Sequence, residues 1–330
     1  MIRVEHPGLL STLQDLGRPG CQHLGVTPGG AMDGYSAAIA NALVGNPPAA
    51  AVLEMTLQGP RLSFERGAWV SLTGADLSAE LDGRPLACWR PVWLPAGSRL
   101  GFGRPRLGCR AYLAVAGGFE VTAVLGSRST DLRAGFGGLG GRPLGKGDVI
   151  EAGESTLALP DNPSRPCVPA WSAAWNRALP LECPARLRLI PGPDWQDLPD
   201  EDRRALETDA FRVGQASDRM GLRLEGPPLH PVSAAERLSA GVTFGTLQLP
   251  PDGQPILLGV DRQTTGGYPV LGTVASVDHP RLAQLRPGET VRFEPIPVER
   301  AQTLYRIRAL QLRRLRTGLD LRWPLNSPSP

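Results

Sequence analysis

Apolar residues along this chain come in short alternating runs rather than in long stripes. Residues 69–72, 99–102, 110–115, 186–190, 246–249, 255–260 and 290–293 each read as a β-strand, most of them bounded by Gly, Pro or Asp-Gly turns. Asp82-Gly83 and Asp252-Gly253 are hairpin signals, because the favoured two-residue turn needs positive φ at its centre. Helical periodicity is confined to three places. Residues 36–44 follow Asp33 or Ser36 as N-cap and stop at Gly45, and residues 199–207 form a second helix. Residues 300–316 form a third, basic and amphipathic, with Leu304, Ile307 and Leu315 apolar. Docking of that stripe on the protein body is preferred to attachment at a membrane surface.

The 40 glycines and 34 prolines among 330 residues agree with many short strands and few helices. The length admits two domains. A boundary is expected near residues 155–185, where Pro and Cys recur too often for a packed strand. The expected division is residues 1–160, a linker over 161–184, and residues 185–330 with the C-terminal helix. The two sides echo each other in the same order. Val44-Gly45-Asn46, leading to Gly59-Pro60-Arg61-Leu62, is echoed by Val213-Gly214-Gln215, leading to Gly226-Pro227-Pro228-Leu229. Gly117-Gly118-Phe119-Glu120-Val121 is echoed by Gly266-Gly267-Tyr268-Pro269-Val270, and Gly145-Lys146-Gly147-Asp148-Val149 by Arg286-Pro287-Gly288-Glu289-Thr290. The shared order argues for a duplicated β domain.

Charge and rare residues narrow the chemistry. Lys146 is the only lysine, so the net charge of +3 rests on dispersed arginine, and aromatic residues make up 5%. No Lys-rich tract or stacking platform for nucleic acid is present. A Schiff-base lysine in the turn around Lys146 is not expected, and there is no Walker A loop. The five cysteines are far apart with no Cys-x-x-Cys, which fits a reduced, cytoplasmic setting. The four histidines are scattered without metal-ligand spacing, so no metal site is expected. No run approaches the ~18 apolar residues of a membrane span, and Met1-Ile2-Arg3-Val4-Glu5-His6-Pro7 lacks an apolar signal region.

Four polar clusters remain. Asp261-Arg262-Gln263-Thr264-Thr265-Gly266-Gly267-Tyr268-Pro269 follows the apolar strand around Ile256-Leu257-Leu258, where glycine N–H groups, Thr hydroxyls and Arg can cradle an anion. Its bland alternative is a hairpin whose Thr and Asp satisfy their own backbone. In Ser217-Asp218-Arg219-Met220-Gly221, Asp218 and Arg219 point to different faces if the segment is a strand, so each needs its own partner; the bland alternative is a turn with a local ion pair. Gln14-Asp15-Leu16-Gly17-Arg18 precedes Gly29-Gly30-Ala31-Met32-Asp33, where the two glycines before a helix can bind an anion and Asp33 can be only a helix cap. Gly126-Ser127-Arg128-Ser129-Thr130-Asp131 repeats the theme of hydroxyl plus arginine, with no adjacent base to activate a Ser nucleophile. Arg, Thr, Ser, Gly and Asp outnumber His, Cys and Lys at these places, which suits holding a carboxylate or phosphate.

At these same segments the sequence resembles the KipA family, also called allophanate hydrolase subunit 2 or the C subunit of 5-oxoprolinase. That family is related to the carboxyltransferase domain of urea carboxylase. The motifs that carry the likeness are Leu13-Gln14-Asp15-Leu16-Gly17-Arg18, Gly29-Gly30-Ala31-Met32-Asp33, Asn41-Ala42-Leu43-Val44-Gly45-Asn46, Leu125-Gly126-Ser127-Arg128-Ser129-Thr130, Ser217-Asp218-Arg219-Met220-Gly221 and the 261–269 stretch. The likeness spans roughly residues 2–295. It implies a mainly β chain of two tandem cyclophilin-like β-barrel domains with few short helices. It implies one component of an ATP-dependent 5-oxoprolinase, with ATP (with Mg) as co-substrate of the complex. The implied partners are the KipI-like B component and the LamB/YcsF-like A component of 5-oxoprolinase, with a small anionic substrate. On this reading Asp261, Arg262, Thr264 and Thr265 are the catalytic candidates. Gln14, Asp15, Arg18, Gly29, Gly30, Asp33, Ser127, Arg128, Ser217, Arg219, Gln263, Gly266, Gly267 and Tyr268 are the substrate-binding candidates. Two alternatives stay open. One is a carboxyltransferase component of a biotin-dependent, urea carboxylase-like system, disfavoured because no biotin carboxylase module or biotinyl-lysine carrier is in this chain. The other is a non-catalytic protein that binds a KipI-type regulator.

Overall fold

The fold is described by a computed structural model over residues 1–173, 183–230 and 238–323. Residues 174–182 of the expected linker lie outside that description. Two compact units make up the chain. The first contains residues 1–18, 33–180 and 311–330, the second residues 19–32 and 181–310. The units therefore exchange two segments relative to a single cut at 161–184. Residues 19–32 belong with the second unit, and the end of the last helix with the first.

The first unit holds β1 (Ile2–His6), β2 (Leu10–Gln14), β3 (Val52–Thr56), β4 (Arg61–Phe64), β5 (Ala68–Asp76), β6 (Ala79–Leu81), β7 (Arg84–Pro85), β8 (Pro91–Leu94), β9 (Arg99–Phe102), β10 (Leu107–Val115) and β11 (Val149–Ile150). They form a six-stranded sheet in the order β11-β1-β4-β9-β6-β7 and a five-stranded sheet in the order β2-β3-β10-β5-β8. One core joins them: Val4, Leu62, Phe64 and Leu100 from the first sheet meet Leu13, Leu53, Leu72, Leu94 and Leu113 from the second. Asp82-Gly83 is the hairpin turn joining β6 to β7, with φ of 49° and 77°. Helix α1 (Gly34–Leu43) contacts β5 and β10 of the five-stranded sheet. That explains why β10 is buried along nearly all its length instead of alternating.

The second unit holds β12 (Ala185–Pro191), β13 (Phe211–Val213), β14 (Gly221–Glu225), β15 (Ala240–Gly241), β16 (Thr246–Gln248), β17 (Ile256–Leu258), β18 (Thr265–Gly266), β19 (Val270–Val274) and β20 (Thr290–Pro295), with helices α2 (Asp200–Thr208), α3 (His279–Ala283) and the start of α4 (Val298–Asp320). Seven strands close a barrel in the order β12-β19-β16-β17-β14-β13-β20, and the parallel pairing of β12 with β20 completes the ring. Leu187, Leu189, Phe211, Leu224, Leu247, Leu257, Val291 and Phe293 fill it. Met32, fully buried, belongs to this core. The mainly β expectation holds. The last helix is longer than the expected 300–316, and among the described residues no helix is long and apolar enough to cross a membrane.

One of the three sequence echoes is reproduced in backbone detail. Val4 donates to the Asp148 carbonyl at 2.8 Å and accepts from Gly147 at 2.8 Å. Val213 donates to the Glu289 carbonyl at 2.8 Å and accepts from Gly288 at 2.7 Å. Gly147 and Gly288 have φ of 89° and 90°, the region where only glycine is unstrained. The echo of Val44 with Val213 is not structural: Val44 caps α1, whereas Val213 ends a strand.

Candidate functional site

In the second unit, the loop after β17 holds the 261–269 cluster singled out in the sequence. Asp261 accepts from Arg219 Nε at 2.8 Å and from Nη2 at 3.0 Å, a bidentate pair in which Arg219 is 5% exposed. Arg219 Nη2 also donates to the Gly30 carbonyl at 2.7 Å. Asp261 is therefore held by a cation. Arg219 is occupied by Asp261, from 42 positions away, instead of forming the local pair with Asp218. Asp218 instead accepts from the N–H groups of Met220 and Gly221, closing its own turn, and Ser217 Oγ accepts from Arg223 N.

Because Asp261 faces Arg219, its neighbour Arg262 has no carboxylate. Arg262 is 8% exposed. Its Nε donates to the Val242 carbonyl at 3.2 Å, and Nη1 lies 3.4 and 3.5 Å from the carbonyls of Gly259 and Val260, all long contacts. Burial pushes its guanidinium pKa down, against the opposing pull of Asp261. Arg262 lines a groove of about 780 Å³ together with Gln263, Tyr268, Gln248, Asp218 and Arg223. Of the predicted loop residues, the groove gathers Arg262, Gln263 and Tyr268. Thr264, Thr265, Gly266 and Gly267 do not line it, and Thr265–Gly266 pairs with β15. Gly266 is glycine for steric reasons: a Cβ there would stand 2.4 Å from Gln248 Nε2. Behind the loop, burial holds His279 down at about 4, with Arg262 adding to the effect and the Val274 carbonyl and Asp278 opposing it. The ring is neutral at pH 7, packed 4.2 Å from Phe244, with no partner at Nε2.

The first unit holds the other predicted cluster. Asp15 Oδ1 accepts from Ser127 Oγ and Ser129 Oγ, both at 2.6 Å, and from Gly17 N at 2.8 Å, while Oδ2 accepts from Arg128 N at 2.6 Å. Asp15 and Ser127 thus tie two loops together. Arg18 and Gln14 are buried beside them, Arg18 Nη2 donating to the Ser129 carbonyl and Gln14 Nε2 to that of Thr130. Arg128 is exposed and lines a separate pocket of about 960 Å³ with Glu120 and the glycine-rich 137–140 turn. Asp33 is the α1 N-cap, fully buried, with Oδ1 accepting from Ser36 N at 2.9 Å and Oδ2 from Ser36 Oγ at 2.5 Å. Asp33 is thus the helix cap that the sequence also offered. Gly29 and Gly30 do not stand directly at the helix start. The helix starts only at Gly34, and Gly30 offers its carbonyl to Arg219.

Sequence reasoning missed a buried polar row across four strands. Thr12, Glu54, Tyr112 and Thr73 are in register on β2, β3, β10 and β5, each no more than 2% exposed. Tyr112 Oη donates to Glu54 Oε2 at 2.9 Å and accepts from Asp33 N at 2.7 Å. Burial first, then the charges of Glu54 and Asp33, keep this phenol protonated well above the usual range. The readable signal was polar residues at every second position of otherwise apolar strands: Thr12 and Gln14, Ser71 and Thr73, Arg110 and Tyr112. Among the described residues no three His, Cys, Asp or Glu side chains stand together as a metal site.

Residues 24–295 match the family described as carboxyltransferase domain, subdomain A and B. The chain is 38% identical over 303 residues to the C subunit of 5-oxoprolinase from Escherichia coli, covering 91% of this chain and 93% of that protein. It is 34% identical over 310 residues to the C subunit of 5-oxoprolinase from Haemophilus influenzae, covering 94% and 96%. It is also similar to the crystal structure of Kluyveromyces lactis urea carboxylase, with 29% identity and a TM-score of 0.85 over 99% of this chain and 30% of that one.

Proposed function

This chain belongs to the carboxyltransferase-domain family of subdomains A and B, and from that premise we propose that it works as the C subunit of an ATP-dependent 5-oxoprolinase. The complex converts 5-oxo-L-proline to L-glutamate with hydrolysis of ATP. Support comes from identity to two proteins of that name along nearly the whole of both sequences. A lactam amide resists opening because resonance stabilises it. Phosphoryl transfer from ATP to its oxygen, with release of ADP, removes that resistance; water then adds to the same carbon, phosphate leaves and the ring C–N bond opens to give the free amine. Both 5-oxoproline and ATP are anions, so cations placed to meet them favour the reaction.

The observation that carries the site assignment is Arg262. A guanidinium more than nine-tenths buried, without a carboxylate and bordering a groove, has charge to spend on an anionic reactant. Gln263, Tyr268 and Gln248 provide hydrogen-bonding groups around it. Thr264 and Thr265 are assigned a supporting role in placing the loop. The chain acts in the cytoplasm with a KipI-like B component and a LamB/YcsF-like A component. Mixing the three purified components and measuring oxoproline-dependent ATP hydrolysis tests this reading. Omitting this chain must abolish the rate, and Arg262→Gln must depress it at least tenfold while the chain stays folded and bound. An undiminished rate without the chain overturns the reading.

A second reading, a carboxyltransferase that works with a biotin-bearing partner on a urea-like acceptor, is favoured by the structural match to urea carboxylase. The chain spans only 30% of that enzyme, so this activity would need other components. Biotin-dependent carboxylation without oxoproline-dependent ATP hydrolysis would select it.

A further inference from the structure

Among the described residues of the first unit, three of the buried polar atoms without a hydrogen-bond partner belong to two side chains that lean on adjoining backbone carbonyls. Arg18 is 1% exposed. Only its Nη2 is engaged, donating to the Ser129 carbonyl at 2.5 Å, while Nε and Nη1 have no partner. Its guanidinium carbon lies 4.9 Å from the centre of the Phe136 ring, which adds a cation–π contact but accepts none of those hydrogens in the plane of the group. Asp15, the acid closest in sequence, is already saturated by Ser127, Ser129, Gly17 and Arg128. Gln14 is fully buried. Its Nε2 donates to Thr12 Oγ1 at 3.0 Å and to the Thr130 carbonyl at 3.2 Å, which fixes the amide orientation and leaves Oε1 without a donor.

Arg18 and Gln14 therefore rest on consecutive carbonyls, 129 and 130. Together they present two unpartnered donor nitrogens on a cation and one unmet acceptor. Leaving such groups buried and unpaired costs more than a hydrogen bond gains, and an uncompensated cation costs most. The pattern is specific in what it would satisfy. A carboxylate alone meets the Arg18 donors but leaves Gln14 Oε1 without a donor. A ligand with an N–H next to its carboxylate meets both. In 5-oxoproline the lactam N–H and the carboxylate are attached to the same carbon.

We propose that Arg18 and Gln14 form the recognition site for 5-oxoproline, Arg18 taking its carboxylate and Gln14 Oε1 accepting from its lactam N–H. The proposal rests on the 5-oxoprolinase reading and adds to it the atoms that select the substrate. It also separates the duties of two arginines: Arg18 reads the substrate carboxylate, and Arg262 is left for the other anion of the reaction. Gly137 borders both this corner and the 960 Å³ pocket. It lines the pocket, and a Cβ on it would stand 3.0 Å from Arg18 Nη2 and 2.1 Å from the Ser129 carbonyl.

The test uses the assembled three-component complex with three lactams: 5-oxo-L-proline, 2-pyrrolidone, which lacks the carboxylate, and N-methyl-5-oxoproline, which lacks the N–H. The wild-type complex is expected to bind both analogues at least tenfold more weakly, as substrates or competitive inhibitors. Arg18→Met should raise KM for 5-oxoproline at least tenfold with KM for ATP unchanged, and erase discrimination against 2-pyrrolidone. Gln14→Met should erase discrimination against the N-methyl compound while keeping the preference for the carboxylate. If Arg18→Met does not fold, Gln14→Met decides alone. Folded variants that keep both discriminations overturn the proposal and identify the three atoms as sites of structural water. A wild-type complex with no oxoproline-dependent activity overturns the functional reading itself, a result separable from unchanged discrimination in an active enzyme.

Discussion

Arg219 grips Asp261 through two parallel hydrogen bonds of 2.8 and 3.0 Å, and this pairing is the reason that Arg262, one residue on, remains without a carboxylate. Adjacent residues in the loop thereby have opposite fates: Asp261 is neutralised, and the charge of Arg262 stays available at the groove.

Breaking that pair should be costly. Asp261→Asn leaves Arg219, 5% exposed, without its counter-charge, and the expected loss is about 3–5 kcal/mol of stability. Arg219→Met with Asp261→Leu should be less damaging than the sum of the two single changes, because the pair is removed together. Urea unfolding of the four proteins checks the inequality, and a double variant as unstable as the sum of the singles would contradict it.

His279 should make the chain acid-sensitive. Its folded-state pKa of about 4 lies below the ordinary 6.5. Between these values the unfolded chain takes up a proton that the folded one refuses, so stability falls as pH falls. The slope is about 1.4 kcal/mol per pH unit for this one group, a total of about 3 kcal/mol. Above pH 6.5 the group contributes no pH dependence. Unfolding midpoints from pH 7 to pH 4 should decline less steeply in His279→Gln than in the parent.

Asp33 should behave as a cap. Asp33→Ala is expected to lower stability by about 1–2 kcal/mol with Asp33→Asn losing less, while KM for each substrate of the complex stays constant. A large KM effect in a folded Asp33→Asn protein would return this residue to the ligand site.

Gly266 and Gln248 should be coupled. Gly266→Ala brings a methyl group to 2.4 Å from Gln248 Nε2 and must displace that side chain. In a Gln248→Ala background the obstruction is gone, so the two changes together should cost less than their sum, with a coupling of about 0.5–3 kcal/mol. Thermal unfolding of the set measures it.

Much of this architecture was legible from the residue pattern alone. Strand β9 falls where alternation put it, over Arg99–Phe102, and the Asp82-Gly83 turn has the positive φ values that its residues favour. Such features depend on neighbours within a few positions, which a linear pattern records. The Arg, Gln and hydroxyl residues at the loops were likewise visible as material for binding anions. Which of them are free was not. Arg18, Arg128, Arg219 and Arg262 look alike in sequence, yet Arg219 is claimed by Asp261 and Gly30, Arg128 lies exposed, and Arg18 and Arg262 are buried without a carboxylate. Charge pairing depends on distances through space between segments remote along the chain, and local periodicity carries no information about those. Only the folded arrangement therefore decided which cations are spent on the protein and which are left for a ligand.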